Sequence, residues 1–163
     1  MRKILFFILL SSSLSAKPNN DRLLRYFDNQ LYDIYIENYI ENINEYSNNK
    51  NYTIKYYISI IKSNRSKNFK HQFRPEIENF INTNLSSVTK DLIYEYGLYE
   101  YFNNRFKNSI KFLSRIKIKD SGYYIGLCYY HIKDFKRAEE ILSKSKKSTE
   151  ELNFILGVVY YNL

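Results

Sequence analysis

The stretch YYIGLCYYHIKDFKRAEEIL, Tyr123 to Leu142, holds the single cysteine of the chain, Cys128, and one of its two histidines, His131. Two readings compete for it: the start of a thiol–imidazole site, or one unit of a helical repeat. The register decides. Nine, twelve and sixteen residues after Gly126 stand Phe135, Ala138 and Leu142, and at the same offsets after Gly97 stand Phe106, Ser109 and Leu113. A third glycine, Gly157, follows at the same scale, with spacings of 29 and 31 residues, a period that marks repeat architectures. Each glycine lies in an apolar, tyrosine-rich helix pattern, where it costs about 1 kcal/mol relative to alanine. Close approach of two helix backbones would offset that cost.

Working outward, the unit reads as a helix, a short turn at Asn103-Asn104-Arg105 or Ile132-Lys133-Asp134, and a second helix. Asp120 and Ser148 occupy cap positions, and Ser148 with Glu151 spells a capping box. Tyr129 and Tyr160, each three residues after a glycine, are expected to pack between units. The composition agrees with helices. Among 163 residues there are only four Gly and two Pro, 44% of residues are hydrophobic, and no long apolar–polar alternation is bounded by turn signals.

These residues resemble the tetratricopeptide repeat family, over about Leu92 to Leu163. Ile125, Gly126, Tyr129, Phe135, Ala138 and Leu142 fill the places of the family pattern. Tyr96, Gly97, Phe106, Ser109 and Leu113 fill them a second time, with Glu100 where an aromatic is expected. The resemblance implies an all-α fold of antiparallel helix-turn-helix repeats stacked as a short right-handed α-solenoid. Its units are about 87–118, 119–147 and a lone first helix over 148–163, whose Leu156, Val159 and Tyr160 are expected to stay partly exposed. It also implies a ligand-facing surface on the first helix of each unit, at fixed offsets from the glycine. Those positions are Tyr94, Leu98, Tyr101 and Phe102; then Tyr123, Leu127, Tyr130 and His131; then Phe154, Val158, Tyr161 and Asn162. Such a groove favours a peptide with apolar anchors over a carboxylate-terminated one, which would want several Lys or Arg. Gly97, Phe106, Ser109, Leu113, Gly126, Tyr129, Phe135, Ala138, Leu142, Gly157 and Tyr160 are implied as packing residues.

The chain over 17–84 reads as a more irregular helical part. Tyr32, Ile36, Tyr39, Ile40, Ile43 and Tyr46 share a helix face, with Asp33, Glu37, Glu41 and Glu45 on another, read as solvated. Tyr32, Tyr35 and Tyr39 form a worn second helix behind a first helix that includes Leu23 and Phe27. Another helix is expected from about Tyr52 to Ser63, an irregular lysine-rich connection over Arg65 to Arg74, and a helix start at Pro75. From Lys50 to Arg74 no acidic residue occurs, and seven Lys or Arg alternate with Phe69 and Phe73.

Residues 1–16 read as a secretory signal: Arg2 and Lys3, the apolar run Ile4 to Leu10, then small residues. An uncleaved anchor is the alternative. Either form implies export to a bacterial envelope or periplasm. A lone cysteine then makes no internal disulfide. The formal charge of +8 accompanies a chain rich in Asn, Ile, Lys and Tyr, and is discounted as a sign of nucleic-acid binding. No phosphate loop, HExxH or nucleophile motif is present, so no catalytic, cofactor or metal role is assigned. The expectation is a non-enzymatic scaffold that binds a protein or peptide. The alternatives are an anionic lipid or glycan contact through 50–74, or the helical accessory part of a longer envelope protein. The C-terminal helix is a candidate self-association contact.

Overall fold

The computed structural model describes residues 20–118, 120–145 and 149–163. The signal-like segment 1–16 and the cap residue Ser148 lie outside them. The fold is all-α. Its ten described helices are α1 (Asn20–Asp28), α2 (Tyr32–Glu41), α3 (Ile43–Tyr46), α4 (Lys50–Lys62), α5 (Lys67–Thr83), α6 (Lys90–Phe102), α7 (Phe106–Leu113), α8 (Ser121–His131), α9 (Phe135–Leu142) and α10 (Glu150–Tyr161).

One turn geometry occurs three times. Asn104 and Lys133, each seven residues after a glycine, adopt φ of 60° and 62°, and Gln30 adopts 60°. At each, the next N–H donates five residues back: Arg105 to Glu100 at 2.9 Å, Asp134 to Tyr129 at 2.9 Å and Leu31 to Tyr26 at 2.8 Å. The left-handed residue itself donates three back, to Tyr101, Tyr130 and Phe27. This is the Schellman pattern, which satisfies the last carbonyls of the first helix and reverses the chain. Three non-glycine residues in that region of backbone space are uncommon. The helix pair on either side must hold them there.

The pairs are α6–α7, α8–α9 and α1–α2, so the worn N-terminal repeat has the geometry of the clear ones. In register, Leu23 stands where Gly97 and Gly126 stand, and Tyr39 where Leu113 and Leu142 stand. A Cβ at Gly97 would lie 2.5 Å from Leu113 Cδ2, and a Cβ at Gly126 would lie 2.5 Å from Leu142 Cδ2. The glycines therefore exist to seat a leucine of the second helix. Ser109, Ala138, Leu113 and Leu142 are fully buried, and Phe106, Phe135 and Tyr129 are half-buried. Gly157 differs: nothing lies within 4 Å of its would-be Cβ, and both it and Tyr160 are exposed. The packing role implied for these two residues is not what the structure places there, because no second helix faces them among the described residues. Val159, expected to be partly exposed, is buried with Leu152 and Ile155 against Ala138 and Leu142 of α9. Thr149 caps α10 by accepting from the Leu152 N–H.

The fourth pair, α4–α5, turns differently. Ser63 is extended past the helix end, and the Ser66 side chain caps α5 by accepting from the Phe69 N–H. The irregular connection expected over Arg65 to Arg74 is instead mostly helix, and Pro75 sits inside α5 rather than at its start. An interior proline costs ~3 kcal/mol. The stripe Phe69, Phe73, Ile77 and Ile81, packed on the main core, outweighs it. The face expected on α2 is also corrected. The helix breaks at Asn42, leaving Ile40 and Ile43 exposed while Tyr35, Ile36 and Tyr39 are buried.

Two cores result. The larger runs from Leu23 to Ile116 and is built largely of tyrosine and isoleucine; the smaller joins α8, α9 and α10. Helix α8 packs on both, through Tyr124 and Ile125 on one side and Leu127 on the other.

Candidate functional site

The first helices of two hairpins bring five of the twelve implied ligand-facing residues together. Tyr101 is the centre, half-buried and packed on the smaller core, where burial pushes its phenol up to about 12 as it does for Tyr94. The Tyr101 ring lies 5.2 Å from Phe102, 5.3 Å from Tyr124, 5.9 Å from Phe106 and 6.0 Å from His131. His131 stacks on Phe106 at 4.5 Å and meets Tyr130 edge-on at 5.4 Å, and Tyr123 meets Tyr124 at 5.4 Å. Edge-to-face rings at these separations attract one another beyond their burial. The outcome is a continuous aromatic surface across α6 and α8. Phe102 is 67% exposed, and on α10, at the register positions of Tyr123 and Tyr130, Phe154 is 70% and Tyr161 90% exposed. Val158 is half-buried, and the exposed Asn162 spends its amide on the Val158 carbonyl.

Three of the implied residues sit elsewhere. Leu127 is 3% exposed inside the smaller core, so it is unavailable to a ligand. It packs in that core with Ala138 and Leu142 of α9 and Leu152, Ile155 and Val159 of α10, whereas Leu98, which adjoins Gly97 in the same way, is only half-buried. Tyr94 packs against the main core, and burial pushes its phenol up to about 12. Leu98 lines a separate cleft beside α4 and α5. Phe106 and Tyr124 belong to the aromatic surface but were not read as such. Tyr124 has Glu95 and Ile155 at its sister positions, so the register carried no signal for it.

Cys128 and His131 do not form a reactive pair. Cys128 is fully buried, and desolvation pushes its thiol up to about 11, away from the reactive thiolate. The Ser109 hydroxyl acts weakly on that thiol and has no hydrogen bond of ordinary geometry. Burial lowers the pKa of His131, so the imidazole is neutral at physiological pH. Among the described residues, no group of three or more His, Cys, Asp or Glu is gathered as metal ligands.

Glu100, the departure from the repeat pattern, has a physical role. Its carboxylate is fully buried and accepts from Arg105 Nε and Nη2 at 2.8 Å each, from Arg74 Nε at 3.0 Å and from Asn108 Nδ2 at 3.1 Å. Burial pushes the carboxyl up, but the hydrogen bonds from Arg105, Arg74 and Asn108 outweigh it and hold the group below the usual carboxylate range. Arg74 comes from α5. An aromatic at this position would leave that guanidinium without its buried partner, so Glu100 ties the irregular hairpin to the regular ones.

The basic stretch is likewise engaged within the chain. Lys62 pairs with Glu95 at 2.7 Å, and Arg65 pairs with Asp33 and Glu37 at 2.9 Å each. Two of the α2 carboxylates read as solvated are thus half of an interhelical contact. Lys55 lies 3.9 Å over the Phe27 ring. Lys67 and Lys70 have no ion pair among the described residues. Compared with family models, curated proteins and solved structures, the chain matches none.

Proposed function

We propose that this chain is a non-enzymatic helical scaffold that binds a protein or peptide partner on the aromatic face of α6, α8 and α10. The observation that carries the reading is the set of exposed rings on two of the first helices, Phe102 on α6 and Phe154 and Tyr161 on α10, the latter two at the register positions of Tyr123 and Tyr130 of α8. Soluble proteins seldom leave contiguous apolar area uncovered unless it binds something. Tyrosine and phenylalanine offer large contact area at low conformational cost, which suits a recognition surface. The leader-like segment 1–16 directs the search for the partner to an exported, envelope setting.

The experiment is retention of envelope proteins on the immobilised mature chain, compared with a Tyr123→Ala/Tyr130→Ala double variant of equal helicity. Loss of a specific partner in the variant supports the reading, and equal retention by both proteins sinks it.

A further inference from the structure

The cleft bounded by α4, α5 and the C-terminal half of α6 has a volume of about 370 Å³. Its apolar wall is Ile61, Leu98 and Phe102, and four cations line it: Lys62, Arg65, Lys67 and Lys70. Glu95 is the one carboxylate among the lining residues. It is already taken by Lys62 at 2.7 Å, while Arg65 is held by Asp33 and Glu37 from outside the cleft. Two lysines with no ion pair among the described residues therefore line the cleft, Lys67 at the start of α5 and Lys70 one turn on. Lys70 is half-buried, and desolvation lowers its pKa with Asp33 the only opposing influence. An anion placed there would relieve that cost.

We propose that this cleft is the specificity element of the scaffold and takes an acidic peptide segment, seating one apolar anchor between Leu98 and Phe102 with its carboxylates on Lys67 and Lys70. The inference rests on the scaffold reading and names the class of partner. Charge complementarity selects the occupant: unpaired cations attract carboxylates, and the exposed Phe102 ring at the same edge asks for an apolar group. Its volume lies at the small end of ligand sites, fitting a side chain and its flanks. The cations line a concavity rather than a flat face, which suits a peptide better than a bilayer. The apolar anchor expected from the sequence is kept, and the acidic flanks are added because α5 delivers lysines that lie outside the repeat.

The test uses the full-length chain and fluorescein-labelled capped peptides with a central Phe flanked by Asp and Glu, or by Lys, or with the Phe replaced by Ser. The acidic Phe peptide is expected to bind, and to weaken by roughly tenfold or more in Lys67→Glu/Lys70→Glu and in Phe102→Ala. Binding is expected to fall steeply at ~0.5 M salt, where screening is severe. Lys67 is exposed and neither lysine is ion-paired among the described residues, so the double variant should fold, and its circular dichroism checks this. Equal binding of the acidic and lysine-flanked peptides, or indifference to the lysine substitutions, overturns the proposal. So does lysine-dependent binding to phosphatidylglycerol vesicles without peptide binding. If an envelope partner is retained through Tyr123 and Tyr130 but is indifferent to Lys67→Glu/Lys70→Glu, the scaffold reading stands and the cleft assignment falls.

Discussion

Helices α6 to α9 and helices α1 to α5 bury their apolar faces by different means. In the C-terminal hairpins, a glycine on one helix seats a leucine of the next at the same 2.5 Å would-be Cβ distance twice over. That contact is steric and repeats with the sequence. In the N-terminal hairpins no glycine occurs, and the corresponding seats hold Leu23 and Tyr39. There the helices are joined by tyrosines whose hydroxyls reach across: Tyr35 to the Tyr52 carbonyl at 3.0 Å, Tyr39 to Thr53 at 2.9 Å and Tyr57 to Glu76 at 2.9 Å. Tyr39 and Tyr56 stack at 4.2 Å. Buried hydroxyls must find partners, so this core is specified by directional bonds as well as by shape. One half is a repeated socket and the other a bonded tyrosine core, with Glu100 at the seam.

The seam offers the largest test. Glu100→Ala leaves Arg74 and Arg105 without their shared carboxylate and should cost ~3 kcal/mol in chemical denaturation, the lower end for a broken buried pair because both arginines keep some access to water. A loss indistinguishable from zero would mean that the remaining contacts, Lys62–Glu95 and Lys111–Glu78 among them, suffice to join the two halves. The folded carboxyl titrates below its unfolded value, so its contribution is complete above the ordinary glutamate range of ~4.3 and is lost as pH falls through the lower folded pKa. The stability gap between wild type and Glu100→Gln should therefore shrink between neutral and strongly acidic pH. A constant gap would remove the charge from the account.

The glycines sharpen the contrast by sign. Gly97→Ala and Gly126→Ala put a methyl into a leucine and should destabilise by about 1 kcal/mol net, the overpacking cost less the gain in helix propensity. Gly157→Ala meets nothing within 4 Å and should stabilise by a little under 1 kcal/mol. Thermal midpoints that move the same way at all three positions would break the socket account. Smallest of all, Ser109→Ala copies Ala138 and removes a buried hydroxyl that lacks a good hydrogen bond, for a gain of a few tenths to about 1 kcal/mol. A loss would mean that the hydroxyl's interaction with Cys128 matters.

The regular hairpins were legible because their cause is local and periodic. Gly126, Phe135, Ala138 and Leu142 fall on one register, and helix geometry turns that register into contact. The same logic found Tyr101, Tyr130 and His131 for the aromatic face. It failed at Leu127, which is buried in the smaller core with residues of α9 and α10, although its counterpart Leu98 stays half-buried. It failed also at Gly157, where the register repeats but no leucine faces it.

By itself the sequence determined the all-helical fold, the turns after the helices of Gly97 and Gly126 and the pairing of those two glycines with the leucine sixteen residues on, since all of these follow from spacing along the chain. Only the tertiary structure decided where charges and hydroxyls are spent. Arg65 reaches Asp33 and Glu37, and Arg74 reaches Glu100, across 26 or more residues of chain. No periodicity encodes such distances. Among the described residues that accounting leaves Lys67 and Lys70 without an ion pair in the cleft lined by Leu98 and Phe102, because which cation remains unpaired depends on every other side chain brought near it in space.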